Sequence, residues 1–225
     1  MAVVRTLGKL LISIGVGVLL FVAWVLWGTG IATGRAQDRL AEEYARQPIF
    51  EPETDPAGGL VLEPPRTYAP GPGDAVFRLV IPRLDVRQMV VEGVSVDELA
   101  LGPGHYPQCG HGFERPLCTG AEEVWPGEQG RVIVSGHRTT YGAPFWGLDK
   151  LAGGDEILFE TRWGRFTYEV TDKEIVSPQN ADIANPVSEA SEVVLTTCNP
   201  RFSANERLIV FAELTESAPP SEAGS

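Results

Sequence analysis

A cysteine, a histidine and an arginine lie at the ends of segments that the sequence predicts to be β-strands. Cys198 ends the apolar run 192–198, and Arg207 opens the next apolar run nine residues later. His137 follows the strand-like run 131–136. Because only a short loop separates Cys198 from Arg207, the two strands are expected to lie side by side. A nucleophile and a cation are therefore predicted at one edge of a sheet.

These three residue types together have the parts needed for acyl transfer through a thiol. A cysteine thiolate is the nucleophile, and a histidine titrates near neutral pH, so it can take a proton from the thiol and give one to a leaving amine. An arginine never loses its charge and is suited to stabilise an oxyanion. A lone cysteine is usually inert packing. The combination predicts an enzyme with Cys198 as nucleophile, His137 as acid and base, and Arg207 as oxyanion clamp.

Two sequence strings around these residues resemble a known family. The run VLTTC at 194–198 resembles the Thr-Leu-x-Thr-Cys strand of the sortases, with Val194 where a threonine is usual. The strings GHRTTYGAPF (136–145) and LTTCNPRFSANERLIVFAEL (195–214) resemble class E, the housekeeping-type sortases of actinobacteria. The resemblance covers about residues 76–214 and implies the same three catalytic roles.

The resemblance also suggests residues that contact substrate. Thr197, next to the cysteine, is expected to help line the oxyanion site, and Thr196 shares a strand face with Cys198. Tyr141 lies four residues beyond His137, where it either packs against substrate or serves as a plain structural aromatic. No metal or organic cofactor is implied.

The implied activity is that of a cysteine transpeptidase. Such an enzyme cleaves a Leu-(Ala or Pro)-x-Thr-Gly sorting signal between Thr and Gly and joins the Thr carbonyl to an amine of a cell-wall precursor or a pilin. Class E resemblance favours Ala at the second position. The alternatives are an L,D-transpeptidase, whose usual Ser-x-Gly-Cys-x-Arg run is missing here, and a non-catalytic barrel that scaffolds a wall complex.

Short strand-like runs dominate the region from 76 to 214, so an all-β fold is predicted. The resemblance implies a closed eight-stranded β-barrel with short helices. A capping box of Ser95 and Glu98 predicts a helix over 95–101, and a second helical piece is expected over 143–151. The predicted strands are 76–82, 86–93, 131–136, 155–161, 165–176, 192–198 and 207–214.

The N-terminal region has the length and composition of a membrane span. Residues 10–34 carry no charge, and 10–27 are almost wholly apolar, enough to cross a bilayer. A transmembrane signal anchor is expected over 10–31 after a cytoplasmic tail at 1–9, with a cleaved signal peptide as the alternative. Lysines and arginines on both sides leave the orientation open. The resemblance implies a single-pass protein of the cell membrane with its catalytic domain outside.

Residues 32–75 are expected to form a stalk and a proline-rich linker. The i, i+4, i+8 spacing of Ala36, Leu40 and Tyr44 predicts a helix that continues the span. The following segment, 48–74, is rich in proline and lacks periodicity, which is typical of a linker. After the catalytic barrel at 76–214, the small and polar tail 215–225 is expected to be disordered.

An insert between the predicted strands carries two further cysteines, Cys109 and Cys118. Compared with class E sequences, this region has about sixteen extra residues. In an exported protein a disulfide between them is expected. Free thiols are one alternative, and a zinc site of His105, Cys109, His111 and Cys118 is another.

The charge of the chain excludes one class of partner. The net charge is −12, and the only charged residues before position 35 are Arg5 and Lys9, so the remainder is more acidic still. Nucleic-acid binding depends on cationic contacts with phosphate. We therefore expect no nucleic acid as a partner; the resemblance implies sorting-signal peptides and a cell-wall or pilin amine, and the apolar span implies a membrane.

Overall fold

The computed structural model describes residues 2–54, 56, 58–110, 112–114, 117–179 and 185–220. The helices are α1 (Ala2–Ala23), α2 (Thr29–Ala45) and α3 (Val96–Leu99), with a π-helical segment (Trp24–Gly28) joining the first two and 3-10 turns at Pro82–Leu84 and Leu148–Lys150. The strands are β1 (Glu53–Thr54), β2 (Leu60–Val61), β3 (Ala75–Ile81), β4 (Val86–Glu92), β5 (Gly104–His105), β6 (Gly130–Ser135), β7 (Glu156–Glu160), β8 (Arg165–Val176), β9 (Ser191–Asn199) and β10 (Glu206–Ala218).

Strands β3 to β10 close into a barrel in the order β10-β8-β7-β3-β4-β5-β6-β9. The predicted all-β, eight-stranded barrel is thereby confirmed. The sequence predicted every barrel strand except β5, which has only two residues and therefore no readable alternation. The last strand runs to Ala218, where it pairs with Arg165, so it continues beyond the predicted end at 214. Residues 221–225 of the expected tail lie outside the described residues.

Alternating side chains of the strands fill the barrel interior. Along β9, Val193 and Leu195 belong to the main core, whereas Val194 belongs to a separate cluster with Ile133 and Ile209. This is the two-residue period of a strand with two different faces. The largest fully buried side chains are aromatic and include Trp163, Tyr168, Phe77, Phe145, Phe159 and Phe166. Such rings contribute the most apolar area per residue.

The predicted stalk helix packs against the barrel. Leu40 and Tyr44 of α2 form a cluster with Met89 and Val91 of β4. Gln37 completes the contact by accepting a hydrogen bond from the Met89 N–H at 2.7 Å and donating to the Met89 carbonyl at 3.0 Å. The apolar spacing read from the sequence therefore describes a face that the barrel covers.

The proline-rich segment 48–74, expected to be a linker, also lies on the barrel where the structure describes it. Phe50, Leu62 and Tyr68 pack against the main core. Arg162 donates hydrogen bonds to the carbonyls of Ala45 and Gln47 at the end of α2. Irregular chain needs such partners when it covers a core.

The two helix predictions in the barrel region have different outcomes. The capping box of α3 is confirmed, because Ser95 accepts from the Asp97 N–H and Glu98 accepts from the Ser95 N–H. The prediction of a helix over 143–151 is wrong apart from one 3-10 turn. Ala143 has a φ of 47°, a left-handed conformation that an α-helix does not contain.

The insert is closed by a disulfide between Cys109 and Cys118, whose Cα atoms are 5.0 Å apart. The predicted pairing is confirmed, and the zinc alternative is wrong because its two thiolates are used. His111 lies outside the described residues. His105 is buried elsewhere, against Glu92 at 2.9 Å, and burial raises the pKa of Glu92 to about 8.

Candidate active site

Cys198 and Arg207 are directly opposite each other on β9 and β10. The two strands are antiparallel, and these residues are Cα partners in the ladder. Side chains of directly opposed residues project from the same face, with Cβ atoms typically about 4.5–5.5 Å apart. Both residues are half-buried. The Arg207 guanidinium donates to the carbonyls of Ala204 and Glu206, each at 3.0 Å, which holds it at the strand end.

The strand before His137 is tied to the strand before Cys198. β6 and β9 are parallel, with Ser135 opposite Thr196. The Gly136 N–H donates to the Thr196 carbonyl at 3.1 Å, and the Thr197 hydroxyl donates to the Gly136 carbonyl at 2.7 Å. A Cβ at Gly136 would lie 2.6 Å from the Phe145 ring. Glycine is therefore required here because the Phe145 ring packs against the end of β6.

The imidazole of His137 is prepared to accept a proton. It stacks on the Tyr141 ring with centroids 4.8 Å apart and an interplanar angle of 29°. Its Nε2 atom is buried and has no hydrogen-bond partner among the described residues. Burial lowers the pKa of His137. The ring is therefore neutral at pH 7 and has a lone pair available.

The loop beyond His137 is strained and is held by helix α2. Tyr141, Gly142 and Ala143 have φ values of 52°, 75° and 47°. Left-handed conformations at non-glycine residues persist only where the surroundings impose them. The Thr29 hydroxyl accepts a hydrogen bond from the Tyr141 N–H at 3.2 Å. A Cβ at Gly30 would lie 3.4 Å from the Gly142 nitrogen, so the two backbones are in contact.

Arg138 is a site residue that the sequence reasoning missed. It is buried, and it donates to the Cys198 carbonyl at 3.3 Å and to the Asn199 side chain at 3.0 Å. Asp149 forms ion pairs with Arg138 at 3.0 Å and with Arg201 at 2.7 Å. Arg138 thus connects the histidine loop to the nucleophile strand. Its position directly after His137 was the sequence feature that could have identified it as a site residue.

The charges around Asp149 determine its ionisation. Burial alone raises the pKa of its carboxyl group, but the guanidinium groups of Arg138 and Arg201 outweigh that effect. The pKa of Asp149 is therefore held below its ordinary value of 3.8. The carboxylate is charged at any neutral pH and keeps both arginines oriented.

The three residues that the sequence suggested as substrate contacts, Thr196, Thr197 and Tyr141, occupy different positions. Thr196 is buried beside Cys198 on the same strand face, and Tyr141 contacts His137. The Thr197 side chain is on the opposite face, and its hydroxyl is bonded to Gly136. The expected place of Thr197 at the oxyanion site stays a prediction, and its hydroxyl bond to Gly136 ties the nucleophile strand to the histidine loop.

Comparison with known proteins identifies the family to which this fold belongs. The sortase domain family model matches residues 79–215. Sortase SrtE1 of Streptomyces coelicolor is 33% identical over 97% of this chain, which spans 59% of that protein's length. The chain belongs to the sortase family.

Other sortases resemble this one in sequence and structure. Sortase D of Bacillus subtilis is 31% identical over 65% of this chain and 67% of that protein. A crystal structure of Sortase E1 from Streptomyces coelicolor, with a tripeptide in its active site, superposes with a TM-score of 0.57 at 32% identity. The superposition covers 70% of this sortase and 98% of that chain. The class E resemblance predicted from the two strings is confirmed.

Proposed function

We propose that this sortase is a membrane-anchored cysteine transpeptidase acting on a Leu-(Ala or Pro)-x-Thr-Gly sorting signal. The observation that carries the proposal is the direct pairing of Cys198 with Arg207 across β9 and β10. His137 is held beside the same strand ends by the bonds of Gly136. The class E relatives support the substrate class.

In the first half of the reaction, the peptide bond between Thr and Gly is broken. Neutral His137 takes the thiol proton, and the Cys198 sulfur attacks the Thr carbonyl carbon. Arg207 stabilises the negative charge that develops on the carbonyl oxygen. When the carbon–nitrogen bond breaks, His137 returns the proton to the departing glycine amine. A thioester on Cys198 remains.

In the second half, an amine replaces the enzyme on the Thr carbonyl. The amine nitrogen attacks the thioester and loses a proton to His137, and the Cys198 sulfur leaves. We assign the amine to a cell-wall precursor or a pilin lysine. If water takes the place of the amine, the same steps hydrolyse the signal. Cys198, His137 and Arg207 are all present, which argues against a non-catalytic scaffold.

The N-terminal helix supports anchoring in the cell membrane. The window Val4–Ala23 has a mean hydropathy of 2.1 and is not buried in the protein. A span of this length crosses the bilayer core. We propose a single pass with the N-terminus inside and the barrel outside the cell.

The test is cleavage of a sorting peptide by the full-length chain in detergent. We expect a Leu-Ala-x-Thr-Gly peptide to be cut between Thr and Gly, with the Thr carbonyl joined to added amine. Mass spectrometry detects the thioester and the product. Cys198→Ala removes the nucleophile and is expected to abolish both, whereas Thr119→Ala in the insert is the matched control that retains activity. Turnover by Cys198→Ala would refute the mechanism.

A further inference from the structure

Two carboxylates and an imidazole form a buried cluster where β4, β5 and the insert meet. Glu92 and His105 are directly paired residues of β4 and β5, and each is 1% exposed. Glu123 of the insert completes the cluster, in which one ligand atom of each residue lies within 4.8 Å of the other two. The proposed acyl transfer uses none of these residues.

The hydrogen bonds of His105 leave one of its ring nitrogens facing an acceptor. The Val124 carbonyl lies 3.2 Å from Nε2, and a carbonyl only accepts, so Nε2 carries the hydrogen. Nδ1 of the neutral ring then presents a lone pair to Glu92 Oε2 at 2.9 Å. The other oxygen, Glu92 Oε1, is buried and has no partner among the described residues. Either a proton on Glu92 or a bound cation can satisfy the lone pairs that face each other here.

We propose that Glu92, His105 and Glu123 bind one divalent first-row transition cation, with Zn²⁺ as the reference ion. Imidazole nitrogen and carboxylate oxygen are both ligands of such ions. The Nε2–H bond to Val124 is the contact that a metal-binding histidine usually makes with its second nitrogen. Ca²⁺ prefers an all-oxygen site, which the imidazole does not provide.

An acidic cleft reaches the cluster at one of its three residues, Glu123. The cleft has a volume of about 910 Å³, and carboxylates of Glu63, Glu122, Glu123 and Glu128 line it. Arg66 is the only cationic side chain among the lining residues, and a cleft with an excess of negative groups concentrates cations. Because Glu123 is half-exposed there, it is the ligand that a cation reaches first.

The position of the cluster gives the ion a structural task. His105 is paired with Val134 of β6, three residues before His137. The ion joins the insert, through Glu123, to the strand that leads into the histidine loop. It stabilises this corner of the barrel and takes no part in the bond changes at Cys198.

The experiment measures metal binding by the full-length chain. Protein in detergent is treated with a chelator, incubated with Zn²⁺ and freed of excess ion, and zinc is counted by mass spectrometry. A parallel Co²⁺ titration follows the visible ligand-field bands. We expect one ion per chain and no comparable binding of Ca²⁺. Glu123→Gln removes a ligand and is expected to weaken binding at least about tenfold, the size of effect typical for metal-site partners.

Glu122→Gln is the matched control, because Glu122 lines the same cleft but is not a ligand. It is expected to bind Zn²⁺ as wild type does. Circular dichroism checks that each variant is folded, and Glu92→Gln, which keeps the side-chain shape, is a second ligand test. The proposal is overturned if wild type retains no zinc, or if Glu123→Gln and Glu122→Gln bind equally. In that event a proton shared by Glu92 and His105 fills the same place.

Discussion

At the scale of single residues, the arginine opposite Cys198 is defined by strand register. Arg207 is the direct partner of Cys198, and its guanidinium is fixed by two backbone carbonyls. These two bonds hold the guanidinium in one place at the strand end. Electrostatic stabilisation of an oxyanion depends on such preorganised donors.

Loss of this arginine is expected to slow the reaction severely. Arg207→Ala should lower kcat/KM for a sorting peptide by about 10²–10³, the usual cost of one oxyanion donor. Arg207→Lys should recover only part of the loss, because an ammonium group lacks the planar fork of a guanidinium. The measurement is steady-state cleavage, with Arg165→Ala on the exposed start of β8 as control. Equal rates for Arg207→Ala and the control would exclude the clamp role.

The enzyme is also expected to be selective for the residue at the second position of the sorting signal. Peptides with Ala there should be cleaved at least as well as those with Pro, as class E membership implies. The difference should be about 1–3 kcal/mol in transition-state free energy, because only a few methylenes distinguish the side chains. Two peptides that differ only at this position give the comparison. A strong preference for Pro contradicts class E specificity and leaves the thiol mechanism intact.

Sequence spacing predicted Cys198 and Arg207 because a short loop joins their strands. It did not predict Arg138, whose partners Cys198 and Asp149 are 60 and 11 positions away and meet it only after the loops fold. Local periodicity contains no sign of these contacts.

At the scale of elements, an ion-pair network holds the histidine loop to the nucleophile strand. Asp149, in the 3-10 turn, contacts both Arg138 and Arg201. Arg201 also lies over the Trp146 ring at 4.7 Å. A network with one buried arginine restricts the loop more than an isolated surface pair does.

Neutralising Asp149 is expected to destabilise the protein in a pH-dependent way. The folded state holds the pKa of Asp149 below 3.8, so the unfolded state takes up its proton first as the pH falls. The stabilisation is therefore complete above about pH 5 and is lost as the pH falls through the folded-state pKa. Denaturant unfolding at pH 7 should give a higher free energy of unfolding for wild type than for Asp149→Asn. This difference should disappear as the pH falls through the folded-state pKa, which lies below 3.8. A difference in the free energy of unfolding that has the same size at every pH would contradict this assignment.

The predicted strands are present in the structure because their apolar and polar residues alternate strongly and their partner strands are adjacent in the barrel. The region 143–151 did not form the predicted helix, since Tyr141, Gly142 and Ala143 adopt left-handed conformations. Contact with α2, which begins more than a hundred residues earlier, supports that conformation. Helical periodicity at 143–151 gives no sign of such a distant partner.

At the scale of the whole molecule, the proposed membrane span and the histidine loop are joined without a flexible connection. α1, the π-helical segment and α2 follow one another from Ala2 to Ala45. The barrel already contacts the helix at Thr29, so residues from there on lie outside the hydrocarbon. Residues 10–28 rise about 28 Å as a helix, which is close to the ~30 Å hydrocarbon core. With the span proposed above, the loop at Tyr141 is expected at the bilayer surface.

This arrangement predicts how deep two sites lie relative to lipid. Spin labels are attached at Thr140→Cys or at Glu189→Cys in a Cys198→Ala background that keeps the disulfide. In nanodiscs, the label at 140 should respond to a lipid-headgroup relaxation agent. The label at 189 is near the start of β9, about 28 Å from its end by strand rise, and should not respond. Equal responses would contradict the fixed docking of α2.

The sequence predicted the span, the helix that continues it and a proline-rich linker to the barrel, but it did not predict which residues of the barrel these segments contact. The apolar face of Ala36, Leu40 and Tyr44 was visible as a pattern. Its partner was not, because Met89 and Val91 are distant in sequence. A short amphipathic stretch carries no information on what covers it.

The docked helix has a consequence for how the enzyme meets its reactants. A catalyst held at a constant height searches a plane, and molecules that drift laterally in the same leaflet share that plane with it. Their encounters are confined to a thin layer, which raises their effective concentration as a tether does. A soluble peptide in bulk solvent lacks this advantage. For this sortase, residence in the same membrane would then act as a criterion of substrate choice that no side chain of the groove has to supply.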